Sequence, residues 1–260
     1  MDLSGKVAVV TGAGAGIGRG VARAFADHGA RVAALDINLE TARETASSID
    51  EGGDKVLAVQ ADVGQEESVD AAFVAIAEKF GRVDCLLNIA GIELYKEFLD
   101  YSSAEWDRQL AVNLKSVFLC SRRAVPHMQR AGGGSIVSTA SVQALATTGN
   151  IAPYAAAKGG IVAMTRDMAR DLGKFNIRVN AICPGVIQTP MLDRSFTDTG
   201  DRDAYVKKLQ KALPLGRIGA PADIAHAALF LSSSYSTYVT GVALIVDGGM
   251  MSRLPLPEVD

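Results

Sequence analysis

Lys6-Val7-Ala8-Val9-Val10-Thr11-Gly12-Ala13-Gly14-Ala15-Gly16-Ile17-Gly18 is a short β-branched run followed by a glycine loop, after which a helical pattern continues through Val21, Phe25 and Ala26. Glycine lets such a turn tighten and lets backbone come close to a bound group, while the free N–H groups and dipole of the helix start favour an anion such as a pyrophosphate. The spacing is informative. G-x-G-x-x-G fails in each register because positions 17, 19 and 21 are Ile, Arg and Val, whereas T-G-x-x-x-G-x-G fits through Thr11, Gly12, Gly16 and Gly18. A purely structural glycine turn is the alternative, since such loops open many α/β folds.

Working outward, Asp36 closes the next apolar run, Arg31-Val32-Ala33-Ala34-Leu35-Asp36. In a dinucleotide site an acid stands there on the adenosine ribose; otherwise it is a strand-end turn residue. It accepts a hydrogen bond from a 2′-hydroxyl and repels a 2′-phosphate, and with neither Ala15 nor Ile37 basic it points to NAD. Asp62, in Ala61-Asp62-Val63, either bonds adenine or caps a helix starting near Glu66.

Strands are expected near 6–11, 31–36, 55–60, 83–88, 134–139, 177–183 and 241–246, with helical stretches between most of them. That alternation predicts an α/β fold of Rossmann type, a doubly wound parallel seven-stranded sheet with helices on both faces. Residues 1–260 are expected to form one domain, because any cut would divide a β-α-β unit. The stretches 92–103, 142–153 and 186–220 each follow a strand and carry turn and polar residues, so they are expected to wall a substrate pocket, with a lid at about 186–220. The charged run from Asp193 to Lys211 reads as that lid or as an ordinary surface helix.

A net charge of −3 offers no basic footprint for nucleic acid, which leaves a small molecule as the expected partner. No apolar run approaches membrane length, and the start of the chain has no leader pattern, so neither a membrane nor export is expected. Cys85, Cys120 and Cys183 have neither disulfide-framework nor zinc spacing, and His28, His127 and His226 lack metal-ligand spacing. A reducing cytoplasm and no metal are the expectations.

Tyr154 and Lys158 stand four apart in Tyr154-Ala155-Ala156-Ala157-Lys158, so on a helix both project from one face. A phenol is a poor base at neutral pH, and a nearby ammonium favours the phenolate. Ser141, thirteen residues before Tyr154, follows the strand Ser135-Ile136-Val137-Ser138-Thr139, where a hydroxyl can hold a substrate oxygen. Asn113 is an odd choice inside the helix-like stretch 104–130; it either serves the site or bends the helix.

Together with Asn88-Ile89-Ala90-Gly91 and Pro184-Gly185 followed by Thr189, these motifs resemble the classical short-chain dehydrogenase/reductase family over essentially the whole chain. The resemblance implies a homotetramer, sometimes a dimer, and a catalytic tetrad of Asn113, Ser141, Tyr154 and Lys158. It implies that Tyr154 is the base in alcohol oxidation, that Ser141 orients the substrate oxygen, and that Lys158 binds the nicotinamide ribose and lowers the tyrosine pKa, with Asn113 supporting the lysine through a water. Cofactor contacts are implied for Gly12, Gly16, Ile17, Gly18, Asp36, Asp62, Val63, Asn88, Tyr154, Lys158, Pro184, Gly185 and Ile187, with Thr189 on the carboxamide. One departure stands out: the family's Asn-Asn-Ala-Gly reads Asn88-Ile89-Ala90-Gly91, which puts local hydrogen bonding in doubt rather than activity.

Glu93, Gln143, Thr147, Thr148, Asn150 and Gln188 are expected in the pocket walls, with Tyr95 and Phe98 as the few large aromatics. A steroid or long acyl chain binds chiefly by burial and would need more apolar surface, so a sugar, polyol or hydroxy acid is expected; Lys96 and Arg194 leave an acidic one open. Ala90-Gly91-Ile92-Glu93 is also similar to the matching segment of the family's sugar 1-dehydrogenases. An NADPH-dependent 3-oxoacyl-thioester reductase and a non-catalytic dinucleotide sensor are the alternatives.

Overall fold

Successive side chains leave opposite faces of a strand, so a strand apolar at every position has to be covered twice. In a computed structural model describing residues 1–194 and 202–252, β1 (Val7–Thr11) sends Val7 and Val9 into one apolar layer and Ala8 and Val10 into the other. β2 (Arg31–Asp36) divides in the same way, Ala33 and Leu35 against Val32 and Ala34. The other strands are β3 (Val56–Gln60), β4 (Cys85–Asn88), β5 (Gly134–Thr139), β6 (Ile177–Pro184) and β7 (Ala243–Val246). All pair in parallel, in the order β3-β2-β1-β4-β5-β6-β7, giving one sheet and one domain. Each strand falls on a run expected from the sequence.

The helices are α1 (Gly16–Asp27), α2 (Leu39–Ile49), α3 (Glu66–Phe80), α4 (Ser103–Leu110), α5 (Ser116–Arg130), α6 (Ala152–Leu172), α7 (Pro190–Arg194), α8 (Arg202–Ala212) and α9 (Pro221–Ser232). Val21 and Phe25 of α1 join Ile224 and Leu229 of α9 on one face of the sheet. Phe73 and Ile76 of α3 join Leu119 and Met128 of α5 on the other. Each fully buried Leu, Ile, Phe or Met contributes about 1.5–3 kcal/mol relative to exposure, so truncating one weakens the layer it fills.

The expected single helix over 104–130 is interrupted. Its start is a capping box: Ser102 Oγ accepts from Glu105 N at 3.2 Å, and Glu105 Oε2 accepts from Ser102 N at 2.9 Å. Between α4 and α5, however, Ala111–Lys115 forms a π-helical turn with Asn113 at its centre. Of the expected lid at 186–220, α7 and α8 are described, while residues 195–201 lie outside the described residues.

Strand order reverses between β1 and β4, which places a crevice outside the carboxyl ends of the central strands. The glycine loop follows β1, Asp36 ends β2, Asn88-Ile89-Ala90-Gly91 follows β4, Ser141 follows β5 and Pro184-Gly185 ends β6. Residues far apart in sequence therefore arrive at one opening.

Candidate active site

The glycine loop is held in a shape that side chains would break. Gly12 and Gly16 have φ of +66° and +51°, in the left-handed region. A Cβ on Gly18 would stand 2.0 Å from the Gly12 carbonyl oxygen, so loop and helix start can approach only with glycine there. Ala15 caps α1 without a side-chain bond, which leaves the first amides of the helix available to an anion. Asp36 holds the loop from the side: Oδ2 accepts from Gly14 N at 2.9 Å, and Oδ1 accepts from Asn38 N at 3.0 Å. Asp36 is thus a turn residue that also lines the cleft.

Thr11 stitches the two central loops together, its hydroxyl oxygen accepting from Ile89 N at 2.9 Å and Ala90 N at 3.1 Å. Those bonds use backbone amides, so Ile89 costs the loop no partner, and its side chain packs on the α1 face of the core. Asn88 does not line the cleft: it is buried and donates to Ser138 Oγ at 3.2 Å, bracing β4 against β5. Asp62 does not cap α3, which starts after Gln65 without a side-chain bond. Its carboxylate accepts from Gly64 N at 2.9 Å and pairs with Arg108 at 3.1 Å. Arg108 lines the cleft and was not anticipated, because its relation to Asp62 exists only once α4 lies over the end of β3.

One cleft of about 770 Å³ runs from Asp36, Asp62 and Val63 past Gly12, Gly16, Ile17 and Gly18 to Ser141, Tyr154 and Lys158, and is closed by Pro184, Gly185, Ile187 and Thr189. Its shape and chemistry fit a dinucleotide: the glycine cradle a Cβ would fill, uncapped helix amides, and an acid at the end of β2. Thr139 Oγ1, buried at the inner end without a protein partner, is a further polar group for a bound molecule.

Asn113 is fully buried and grips Ile92 from both sides: Oδ1 accepts from Ile92 N at 3.0 Å, and Nδ2 donates to Ile92 O at 2.9 Å. It fixes the strand exit rather than merely bending a helix, and the π-turn delivers its amide to that segment. Lys158, at 3% exposure, donates to Thr139 O at 2.7 Å. Its ammonium lies over the Tyr154 ring, 5.3 Å from the centroid. Burial pulls the Lys158 pKa down to about 8, against the opposing charge of Glu93. Burial also pushes Tyr154 above the ordinary phenol range, with Glu93 adding to the rise and a hydrogen bond with Ser141 opposing it. Burial thus sets the direction of the Tyr154 pKa in the protein without a bound cofactor.

The outer end of the cleft differs from expectation. Glu93, Gln143, Thr148, Asn150 and Tyr95 line it, but Thr147, Gln188 and Phe98 do not. Gln188 instead donates to Asp193 at 3.1 Å, and Lys96 is committed to Glu105 at 2.5 Å. Arg194 does line the cleft. Met191, Leu192, Leu209 and Met250 add an apolar wall that sequence reading missed, since they come from α7, α8 and the end of the described chain. Among the described residues no helix is long and apolar enough to cross a membrane, and no cluster of ligating side chains could hold a metal.

Comparison with known proteins gives a consistent result. A family model described as enoyl-(acyl carrier protein) reductase matches residues 12–251. The chain is 42% identical over 251 residues to 3beta-hydroxysteroid dehydrogenase 1 of Eggerthella lenta, covering 96% of this chain and 95% of that one. It is 39% identical over 249 residues to D-threitol dehydrogenase of Mycolicibacterium smegmatis, covering 95% and 93%. Among solved structures, 3-ketoacyl-(acyl-carrier-protein) reductase of Brucella melitensis, complexed with NADH, superposes with a TM-score of 0.88 at 39% identity, covering 96% of this chain and 99% of that one.

Proposed function

This chain belongs to the short-chain dehydrogenase/reductase family, and from that premise we propose that it moves a hydride between the nicotinamide of NAD and the carbinol or carbonyl carbon of a small polar secondary alcohol or ketone. The observation that carries the reading is that Ser141, Tyr154 and Lys158 face the same cleft as the glycine loop and Asp36. As the alcohol is oxidised, a substrate oxygen held by Ser141 and Tyr154 gives its proton to the Tyr154 phenolate, which has first released its own proton to solvent; in reduction the Tyr154 phenol gives a proton to that oxygen. Lys158 would hold the nicotinamide ribose, and Asn113 keeps Ile92 in place beside the site. The nicotinamide, when bound, supplies the hydride acceptor or donor. Gly12, Gly16, Ile17 and Gly18 would hold the pyrophosphate, Asp36 the adenosine ribose, Asp62 and Val63 the adenine, and Pro184, Gly185, Ile187 and Thr189 the nicotinamide side. Asn88 serves the same site as the brace behind it.

Preference for NAD is supported by Asp36 at the end of β2, where a 2′-phosphate would meet a carboxylate. The cation in that corner, Arg19, is already donating to Gly14 O at 2.5 Å and to Glu44 at 3.2 Å. Glu93, Gln143, Thr148 and Asn150 support a polar substrate, and the relative named for D-threitol is of that class. The Met191, Leu192 and Leu209 wall supports a second reading, a bulkier ketone, the class of the relative named for a hydroxysteroid. Exposed Phe118 on α5 and Ile245 on β7 suit the subunit contacts of a homotetramer, and three free, buried cysteines suit a cytoplasmic protein. Residues 186–220 are proposed to close over the substrate. A panel of polyols, sugars, hydroxy acids, steroids and acyl carbinols, followed by NADH absorbance, tests the reading. Polyols and sugars are expected to give the highest kcat/KM, and a clear preference for a steroid or long acyl substrate would replace the first reading by the second.

A further inference from the structure

The segments that wall the outer end of the cleft, one after β4 and one after β5, are joined by groups that mostly lie outside it. The Asn150 carbonyl accepts from Lys96 N at 2.9 Å and from the Tyr101 hydroxyl at 3.0 Å, and Asn150 Nδ2 donates to Glu97 at 3.1 Å. The same hydroxyl stands 2.5 Å from the Leu94 carbonyl, and a phenol has a single proton, so two carbonyls from two loops share it. Leu94, Lys96, Glu97 and Tyr101 do not line the cleft, whereas Tyr95, Gln143 and Asn150 do. Behind this junction both loops are tied down. Gln143 Nε2 donates to Thr148 Oγ1 at 3.2 Å while its Oε1 accepts from Thr148 N at 3.0 Å, and Lys96 is paired with Glu105. Asn150 also carries a backbone cost, with φ of +59°, in the left-handed region; of the described non-glycine residues, Asn176 alone shares that sign. Asn176 follows a helical turn, where the conformation is routine. Asn150 stands in a cleft wall, where such strain is commonly held for function.

We propose that Tyr101 is a positioning residue whose hydroxyl, shared between Leu94 and Asn150, clasps the loop after β4 to the loop after β5 and thereby sets the width of the substrate pocket. The proposal rests on the oxidoreductase reading above and adds a residue to it. Tyr95 on one loop and Ser141 with Gln143 on the other face the same space, so the separation of the loops is the span a substrate has to fill. A misplacement of the order of an ångström is enough to cost orientation at a reacting centre. With the clasp closed, a small alcohol is held close to Ser141 and Tyr154. With it open, a small alcohol loses contacts that a bulky one, filling the wider space, keeps.

Tyr101→Phe removes the shared proton and nothing that lines the cleft, and 2,3-butanediol and 1-phenylethanol serve as the small and the bulky probe, with NAD as co-substrate. KM for the diol should rise by about two- to tenfold, the usual range for one hydrogen bond, and its kcat/KM should fall by that factor relative to 1-phenylethanol. KM for NAD should stay within about twofold. Glu97→Ala, a change at an exposed side chain, deletes only the outer bond to Asn150 and should give a smaller shift of the ratio in the same direction, which keeps the test open if Tyr101→Phe folds poorly. If Tyr101 serves only the fold, the melting temperature falls while the ratio of the two alcohols stays fixed, and the proposal is overturned. Amide hydrogen exchange over residues 92–97 reads the clasp without turnover: it should quicken in Tyr101→Phe, and unchanged exchange also overturns the proposal. Should neither alcohol be oxidised by the wild type, the oxidoreductase reading fails. The clasp is then decided by that exchange together with the affinity of 2,3-butanediol for the enzyme–NADH complex, read by NADH fluorescence. A change in both upholds it, and no change in either one sinks it.

Discussion

At the β2–β3 end of the cleft every charge has a local partner: Asp36 accepts from Gly14 and Asn38, Asp62 pairs with Arg108, and Arg19 bonds Gly14 and Glu44. At the β5–α6 end, Glu93, Tyr154 and Lys158 are each displaced from their ordinary pKa by burial, with too few partners to restore it. The first end is built of satisfied groups that hold a shape. The second holds groups whose pKa values burial has moved, Glu93 and Tyr154 up and Lys158 down, as is common where protons are transferred. Substitutions at the two ends should accordingly fail in different ways.

The largest effect is expected where the second end does its chemistry. Tyr154→Phe should lower kcat for alcohol oxidation by about 10²–10⁴-fold, the usual worth of a positioned acid or base. NADH affinity, read by fluorescence titration, should remain within about twofold, since only one hydroxyl is removed. Turnover within threefold of wild type would erase the distinction drawn here.

A smaller effect, of the opposite kind, is expected at the first end. The wild type should favour NAD over NADP by at least about a hundredfold in kcat/KM, equivalent to roughly 3 kcal/mol. Asp36→Ala should narrow that ratio by relieving repulsion and losing ribose bonds together, and should also loosen the loop that Gly14 anchors. Steady-state kinetics with both cofactors decides it; an unchanged ratio would mean that Asp36 only supports the turn.

The smallest effect should appear in stability, with the sign reversed from that of an ordinary damaging substitution. The Lys158 ammonium is buried, and its pKa falls from 10.5 to about 8. Folding therefore disfavours the charged form, and the penalty is fully present below about pH 8 and is relieved as pH rises toward the unfolded value. Lys158→Met keeps the buried stem and removes the charge, so melting temperature at pH 7 should rise by about 5 °C while activity collapses. Thermal melts between pH 7 and 10 should show the gain shrinking as pH rises. A loss of stability would show that the bond to Thr139 outweighs desolvation.

What could be foreseen from sequence followed from local physics. Val7 to Val10 and Val32 to Leu35 are apolar at every position, and a tight loop of this shape needs glycine at 12, 16 and 18, so sheet and loop were legible. Tyr154 and Lys158 were legible because four residues is one helical turn. Arg108 against Asp62, the double grip of Asn113 on Ile92, and the apolar wall from Met191 and Leu209 join segments with no sequence relation, so no spacing announces them. The burial that raises the Tyr154 pKa was not legible for a similar reason: spacing indicates that an ammonium is near, whereas burial belongs to the folded whole.

The position of β1 has a consequence for how the chain is born. Its neighbours are β2 and β4, and the bond that closes the second seam, from Ile89 N to Thr11 Oγ1, spans 78 residues. While a ribosome has delivered only the first three strands, β1 is an unprotected edge of Val7, Ala8, Val9 and Val10, with its hydrogen-bonding groups on one side open to any passing strand. At about 5–20 residues per second that exposure lasts for seconds, long enough for off-pathway pairing to compete with synthesis. Until Cys85–Asn88 has emerged, the strand that later carries the cofactor loop is thus an open edge that a holdase chaperone would have reason to shield.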